Sequence, residues 1–304
     1  MTARLRKLSA WIQERYGERV YKVSLRGGFT CPNRDGTRSK GGCSFCAGDQ
    51  FTPTGYREHM DVATQLEHGL DYLRRRHGAE RAIAFFHDYS ATYGAPAHLR
   101  EVYEPALAHA AVVGLALSTR PDCLPPEVMD LLEATARRKD LWVELGLQVA
   151  DDDLLAAVGR CHTVEQFARA VRDCTARGLP TCAHVIIGLP GATAEHERRT
   201  AALLGELGVW GVKIHAFHVI RQTPMAVAHA LGKAPVLNLP EYVNRVVAFL
   251  ERLPPEMVIH RLTGESSRAL TVAPDWSVSK MVVYDAILAA LQQRDTRQGA
   301  AQSS

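Results

Sequence analysis

Short apolar and β-branched runs alternate along this chain with longer segments in which apolar positions recur every three to four residues. The runs predict strands at residues 21–25, 81–87, 112–119, 141–148, 182–189 and 211–219. The longer segments predict helices at 62–76, 97–110, 126–137, 164–177, 194–207 and 224–231, with Pro126 and Pro224 where a first helical turn accepts proline. Strands each followed by a helix imply a parallel α/β sheet. Polar residues gather at the ends of these runs, in Asp88-Tyr-Ser90, Thr119-Arg-Pro-Asp122, Gln148 and Gly188-Leu-Pro-Gly191. That is the rim on which an α/β barrel builds its site.

Beyond the sixth unit come a helix at 241–253, a strand at 257–262 and a last helix at 279–292, expected as a C-terminal α/β extension packed on the barrel. The expected organisation is a basic N-terminal helix or extension over 1–20, a barrel over 21–235, the extension over 236–292 and a tail over 293–304. The tail is polar and rich in small residues, so it is expected to be disordered. No repeat of 20–50 residues exists beyond the βα rhythm itself.

With 304 residues and 46% hydrophobic positions, the chain can bury a sizeable core. Its seven cysteines are odd in number and irregularly spaced, and the start lacks the apolar stretch of a secretory signal. Reduced thiols and a cytoplasmic protein are expected, and no apolar run reaches the roughly 18–20 residues of a membrane span. Net charge is only +3, yet residues 1–40 hold ten Lys/Arg against three Asp/Glu. A basic start of this kind attracts phosphate-bearing partners, and it is equally common as a plain solvated face.

The basic start runs into a glycine-rich loop carrying Cys31 and Cys43-Ser-Phe-Cys46. Three thiolates in one loop make a metal site. A zinc ribbon closed by a fourth ligand such as His59 is one reading. The other is an iron–sulfur cluster whose fourth position is left for something that is not protein. Cys123, Cys161, Cys174 and Cys182 show no paired spacing and read as ordinary thiols. His215 and His218 could face a substrate or be structural, and Trp276 reads as packing.

In order along the chain, Gly27-Gly-Phe-Thr-Cys-Pro-Asn-Arg-Asp-Gly36, Ser118-Thr-Arg-Pro-Asp122, Glu144-Leu-Gly-Leu-Gln148, His184-Val-Ile-Ile-Gly-Leu-Pro-Gly191 and Val212-Lys-Ile-His-Ala-Phe-His218 resemble the radical S-adenosylmethionine (SAM) superfamily, and its YhcC/YtqA-like branch in particular. The terminal Ile259–Gly264 and Val272–Trp276 segments extend the likeness. The resemblance implies a partial (β/α)6 TIM-like barrel of the radical SAM type. It also implies a [4Fe–4S] cluster on Cys31, Cys43 and Cys46, with SAM on the open iron. One electron then cleaves SAM to a 5′-deoxyadenosyl radical that takes a hydrogen from substrate, so the cofactor carries the hard step.

By the same resemblance, Tyr89 and Ser90 meet the amino end of SAM, Gln148 and Glu144 approach its ribose or methionine portion, and Arg160 pairs with its carboxylate through a fixed fork. Gly188 and Leu189 lie against adenine. The chain departs from relatives in having Ser118 where some place an acid and His184 where others place an aspartate. The branch implies a tRNA partner modified at the wobble uridine side chain, with flavodoxin or ferredoxin as electron donor. A radical SAM enzyme for a small metabolite or peptide, and a cluster- or metal-containing RNA-binding or redox-sensing protein without SAM chemistry, are the alternatives.

Overall fold

The computed structural model describes residues 4–48, 60–264 and 268–302. Its main sheet follows chain order through β1 (Tyr21–Leu25), β2 (Ala82–Phe86), β3 (Val112–Thr119), β4 (Asp140–Gln148), β5 (Thr181–Ile187) and β6 (Gly211–Ala216). A two-residue strand, β7 (Val219–Ile220), follows, and β8 (Val258–Arg261) then joins the sheet beside β6. All neighbours in this seven-stranded sheet are parallel. The sheet curls into a half barrel of the partial TIM type, as expected.

The crossover helices are α2 (Val62–His77), α3 (Pro96–Ala108), α4 (Pro126–Ala136), α6 (Val164–Ala176) and α7 (Ala194–Glu206). They are preceded by α1 (Leu8–Tyr16), and a short helix, α5 (Asp152–Ala157), interrupts the loop after β4. The expected sixth helix is α8 (Pro224–Ala230), and α9 (Leu239–Leu250) and α10 (Lys280–Gln293) complete the chain. Sequence sets their starts. Asp61 caps α2 by accepting from Thr64 N–H, and Thr163 and Asn238 form capping boxes with Gln166 and Glu241.

β4 shows how one strand serves two interiors. Leu141, Val143, Leu145 and Leu147 face the helices in the main core, each contributing about 1.5–3 kcal/mol on burial. The alternate residues Trp142, Glu144, Gly146 and Gln148 point into the barrel, as a period of two requires. The barrel floor is apolar. Ile12, Val20, Ile83, Ala116, Trp142 and Cys182 pack there with Trp11 and Trp210, whose rings lie 4.9 Å apart.

Three expectations need correction. The sixth strand ends at Ala216 rather than 219: its ladder with β5 closes with Phe217 N–H on Ile187 O, and Val219 pairs instead with Ala273 of β9 (Thr271–Ala273). The C-terminal segment is more than an appendage: β8 is the seventh strand of the barrel sheet, and Val283, Ile287 and Leu291 of α10 enter the main core. The tail from Gln293 is not disordered as far as it is described. Gln298 is buried and donates from Nε2 to Pro254 O (2.6 Å) and Met257 O (2.7 Å), and its backbone N–H bonds Arg4 O (3.0 Å). Polar composition argued for disorder, and buried hydrogen bonds outweigh it.

Among the described residues, no helix is long and apolar enough to cross a membrane.

Candidate active site

The loop between β1 and α2 is held from within by Asn33, which is fully buried. Its carbonyl accepts from Gly42 N–H (2.8 Å) and Ser39 Oγ (3.0 Å). Its Nδ2 donates among Gly159 O (2.9 Å), Arg160 O (3.2 Å) and Cys43 Sγ (3.5 Å). Arg34 reaches across the loop to Cys46 O (2.8 Å), with its guanidinium 5.6 Å from the centre of the Tyr89 ring. Gly42 must be glycine here: its φ is +86°, and a Cβ would stand 2.9 Å from Arg34 Nε. Ser44 N–H bonds Val158 O and Met225 N–H bonds Ser44 O, which ties the two-cysteine turn to the barrel rim.

These restraints bring Cys31, Cys43 and Cys46 to one cavity at the C-terminal ends of the strands, all three as free thiols. Tyr89, Ser90, Gln148 and Arg160 line the same cavity. Tyr89 and Gln148 hold left-handed backbone conformations, with φ of 51° and 75°. Non-glycine residues take such angles at a cost, and they cluster where function requires a particular aim.

The other expected residues lie elsewhere. Glu144 is fully buried beneath the cavity, bonded to Lys22, Lys213, His184 and Trp142. Gly188 gives its N–H to Glu197 (2.9 Å), and the space a side chain would take there is filled by Leu237. Leu189 packs in a separate apolar cluster with Val149, Val158 and Phe217.

Several lining residues had no role in the sequence reading. Arg120 is 2% exposed, makes a bidentate pair with Asp122 (2.9 Å for each bond) and donates to the carbonyls of Arg160 (3.0 Å) and Cys161 (3.2 Å). Arg160 in turn donates to Gly146 O (3.0 Å) and towards Cys43 Sγ (3.7 Å), while its buried Nε has no partner among the described residues. Gly146 makes room for it, since a Cβ would lie 2.2 Å from Arg160 Nη2. Arg120 stood inside the Ser118–Asp122 motif, which was its only sequence signal.

Burial pushes the Cys31 thiol up, while the Asn33 backbone, Arg120 and Arg160 pull it back. Cys123 and Cys174 are pushed up to about 12 by burial, and Cys182 is pushed up for the same reason. Thiols raised this far are inert at neutral pH, in keeping with their reading as ordinary thiols. His59 lies outside the described residues.

Residues 31–204 match the Radical SAM superfamily, and residues 209–293 match the Radical_SAM C-terminal domain. The chain belongs to the radical SAM superfamily. This radical SAM protein is 37% identical over 296 residues to the protein YtqA of Bacillus subtilis (strain 168), covering 97% of this chain and 92% of YtqA. A shorter stretch of 95 residues is 35% identical to a tRNA uridine(34) acetyltransferase of Dehalococcoides mccartyi (strain CBDB1), 31% of this chain and 20% of that protein. Among solved structures, the archaeal Elp3 of Methanocaldococcus infernus with an N-terminal deletion superposes with a TM-score of 0.68 at 16% identity, over 92% of this chain and 64% of that one.

The family uses a [4Fe–4S] cluster and SAM. Three free thiols share the cavity with Arg34, Arg120 and Arg160, and among the described residues no carboxylate lines it. Cations and N–H donors beside the sulfurs compensate the charge of a thiolate-bound cluster. The unpartnered Arg160 Nε is a donor in reserve for an anionic group.

Proposed function

We propose that this radical SAM protein is an enzyme that modifies a tRNA nucleoside, acting on the side chain of the wobble uridine. The observation that carries the enzyme reading is the convergence of Cys31, Cys43 and Cys46 with Arg34, Arg120 and Arg160 on one cavity. The tRNA reading is supported by the stretch shared with a relative named for acetylating tRNA uridine 34.

In this reading the three cysteines hold the cluster. When bound, the cluster and SAM supply reductive cleavage and a radical able to remove a hydrogen atom from substrate. The protein supplies the rest. Arg160, braced by Gly146 O and by Arg120 at its own carbonyl, presents a fixed guanidinium to a carboxylate. Tyr89 and Gln148 offer backbone groups aimed by their left-handed conformations. Phe45 lines the cavity and packs on the apolar cluster beside it, keeping that wall dry.

Part of the charge of the basic start is engaged within the protein: Arg4, Arg6, Arg15 and Arg38 pair with Asp295, Glu14, Asp140 and Asp122, and Lys22 points into the barrel. In this reading RNA is met by the remaining cations of the start together with the cavity rim.

The test is anaerobic reconstitution with dithionite and SAM, reading 5′-deoxyadenosine with and without bulk tRNA against Cys43→Ala as blank, together with nucleoside analysis of tRNA from a deletion strain. Cluster-dependent product stimulated by tRNA, and a changed wobble nucleoside, are expected. Product indifferent to tRNA would move the substrate to a small metabolite or peptide. No product from cluster-loaded protein would overturn the enzyme reading.

A further inference from the structure

Between the cavity and the apolar floor, the barrel lumen holds a polar layer that the chemistry above does not use. Every strand but one of the main sheet contributes a charged or aromatic side chain to it. Lys22 of β1 bonds Glu144 Oε1 of β4 at 2.5 Å, and Lys213 of β6 bonds Glu144 Oε2. His184 Nε2 of β5 stands 2.8 Å from the same Oε2, and His260 Nδ1 of β8 stands 3.9 Å from Oε1, beyond hydrogen-bond reach. Lys22 and Lys213 also lie 4.6 and 4.5 Å from the centre of the Phe85 ring, one on each side of the carboxylate they share.

The layer is out of balance in two ways. Among the described residues one carboxylate faces two ammonium groups, and the imidazoles do not redress this, because burial and the nearby cations hold them neutral, His87 and His184 down to about 4. Lys213 itself is lowered to about 8, chiefly by burial. A purely structural ion cluster gains nothing from a surplus buried cation, which costs desolvation without a matching partner. The second imbalance concerns hydrogen bonds. Among the described residues, His87 Nε2, His215 Nε2 and both ring nitrogens of His260 are buried without partners, though groups of this kind are nearly always satisfied.

The layer also has a way in. The His184 ring lines the cavity while its Nε2 holds Glu144, and the Lys22 side chain keeps 18% of its exposure. His215 lies directly against His184, with ring centres 5.3 Å apart. A substrate reaching past the cavity therefore meets cations and unpaired ring nitrogens before it meets the tryptophan floor.

We infer that this lumen layer binds an anionic oxygen group of the substrate, a carboxylate or a phosphate, with Lys22 and Lys213 supplying charge and His87 and His215 supplying neutral hydrogen bonds. The inference rests on reading the chain as a radical SAM enzyme whose substrate enters the barrel, and not on that substrate being RNA. Glu144 then acts as a positioning residue that parks both lysines until the anion draws one of them away. Lysine suits this because its ammonium is a mobile point charge, whereas an arginine fork would be locked to the carboxylate.

The experiment uses the full chain, cluster-reconstituted and SAM-loaded, with sodium acetate and inorganic phosphate as separate probes. Acetate binding is read by saturation-transfer NMR on its methyl group, and phosphate by its displacement of acetate or by 31P line broadening. The wild type is expected to bind at least one of the two. Lys213→Met and Lys22→Met should each weaken binding by roughly tenfold or more, the scale of one lost charge-assisted hydrogen bond. Lys233→Met, on the exposed surface, should bind as wild type does, whereas Lys213→Arg, which keeps the charge but locks its fork to Glu144, should bind more weakly than wild type. Should Lys213→Met fail to fold, Lys22→Met and Lys213→Arg carry the test. Acetate binding assigns the group as a carboxylate, and phosphate binding alone assigns it as a phosphate. Wild type that binds neither, or Lys→Met variants that bind as well as wild type, would overturn the inference. Anion binding in a protein whose 5′-deoxyadenosine output ignores tRNA would retain the lumen site and remove the RNA reading.

Discussion

In the cavity, Arg120 and Arg160 are held mainly by backbone carbonyls, and the carboxylate that pairs with Arg120 is Asp122, outside the lining; in the lumen a few ångströms below, Lys22 and Lys213 surround a carboxylate placed at the centre. The first arrangement fixes planar forks in advance and leaves the cavity floor without negative charge. The second holds mobile cations on a central anion that a ligand can replace. One barrel therefore carries two positive regions of different character. The upper is built for a partner whose geometry never changes, and the lower for one that comes and goes.

The sharpest way to break the upper half of this comparison is Cys43→Ala. It removes one of the three thiols the cavity brings together, and loss of both the cluster absorbance and 5′-deoxyadenosine formation is expected, with folding unchanged by circular dichroism. Gly146→Ala probes the polar side chains beside the cysteines, Arg160 first. The new methyl overlaps Arg160 Nη2 and stands 2.8 Å from Gln148 Nε2, so it should displace the guanidinium while leaving the cysteines intact. A loss of about 100-fold in 5′-deoxyadenosine rate at unchanged iron content is expected, the scale of a misplacement near 1 Å.

The lower region answers to stability instead. Glu144→Gln leaves Lys22 and Lys213 buried without a counter-charge, and urea unfolding should show a loss of about 3–5 kcal/mol. Acid should act in the same place. His87 and His184 are lowered to about 4 by burial, against an ordinary value of 6.5. Between those values the unfolded chain takes up protons that the folded chain refuses, so stability falls as pH drops from 6.5 towards 4. Glu144, held below its usual range by Lys213 and Lys22 in spite of its burial, adds to the loss at still lower pH. Melting temperature against pH should show this slope, and His87→Gln should make it shallower, the other buried histidines keeping the remainder. The smallest effect concerns neither region: deleting residues 294–304 removes the bonds of Gln298 and should cost about 1–3 kcal/mol without altering cofactor binding.

What could be read from the chain alone follows the distance over which each feature is decided. The helix-facing side of the barrel was legible because Leu141, Val143, Leu145 and Leu147 form a local pattern, and the cysteines were legible because their spacing is local too. Lys22 and Lys213 stood in the same strands as polar interruptions with no evident purpose. Their purpose is Glu144, 122 and 69 residues away, a pairing that no local window contains. Gly146 carried no signal of its own within the Glu144–Gln148 motif, because the side chain that needs its space, Arg160, arrives from a different loop. The tail misled for the same reason, since the acceptors of Gln298 lie 44 and 41 residues earlier.

The apolar floor gives the molecule a built-in optical gauge. Three of its four tryptophans, Trp11, Trp142 and Trp210, pack there, and Trp142 touches the charged groups themselves: its Nε1 donates to Glu144 Oε1 (3.1 Å) and Lys22 Nζ lies 4.9 Å from its ring centre. An ammonium moving off that indole changes the field its excited state feels. Ultraviolet emission from the unlabelled protein should therefore shift in colour when the lumen fills, letting occupancy be followed in a cuvette without a radical ever being made.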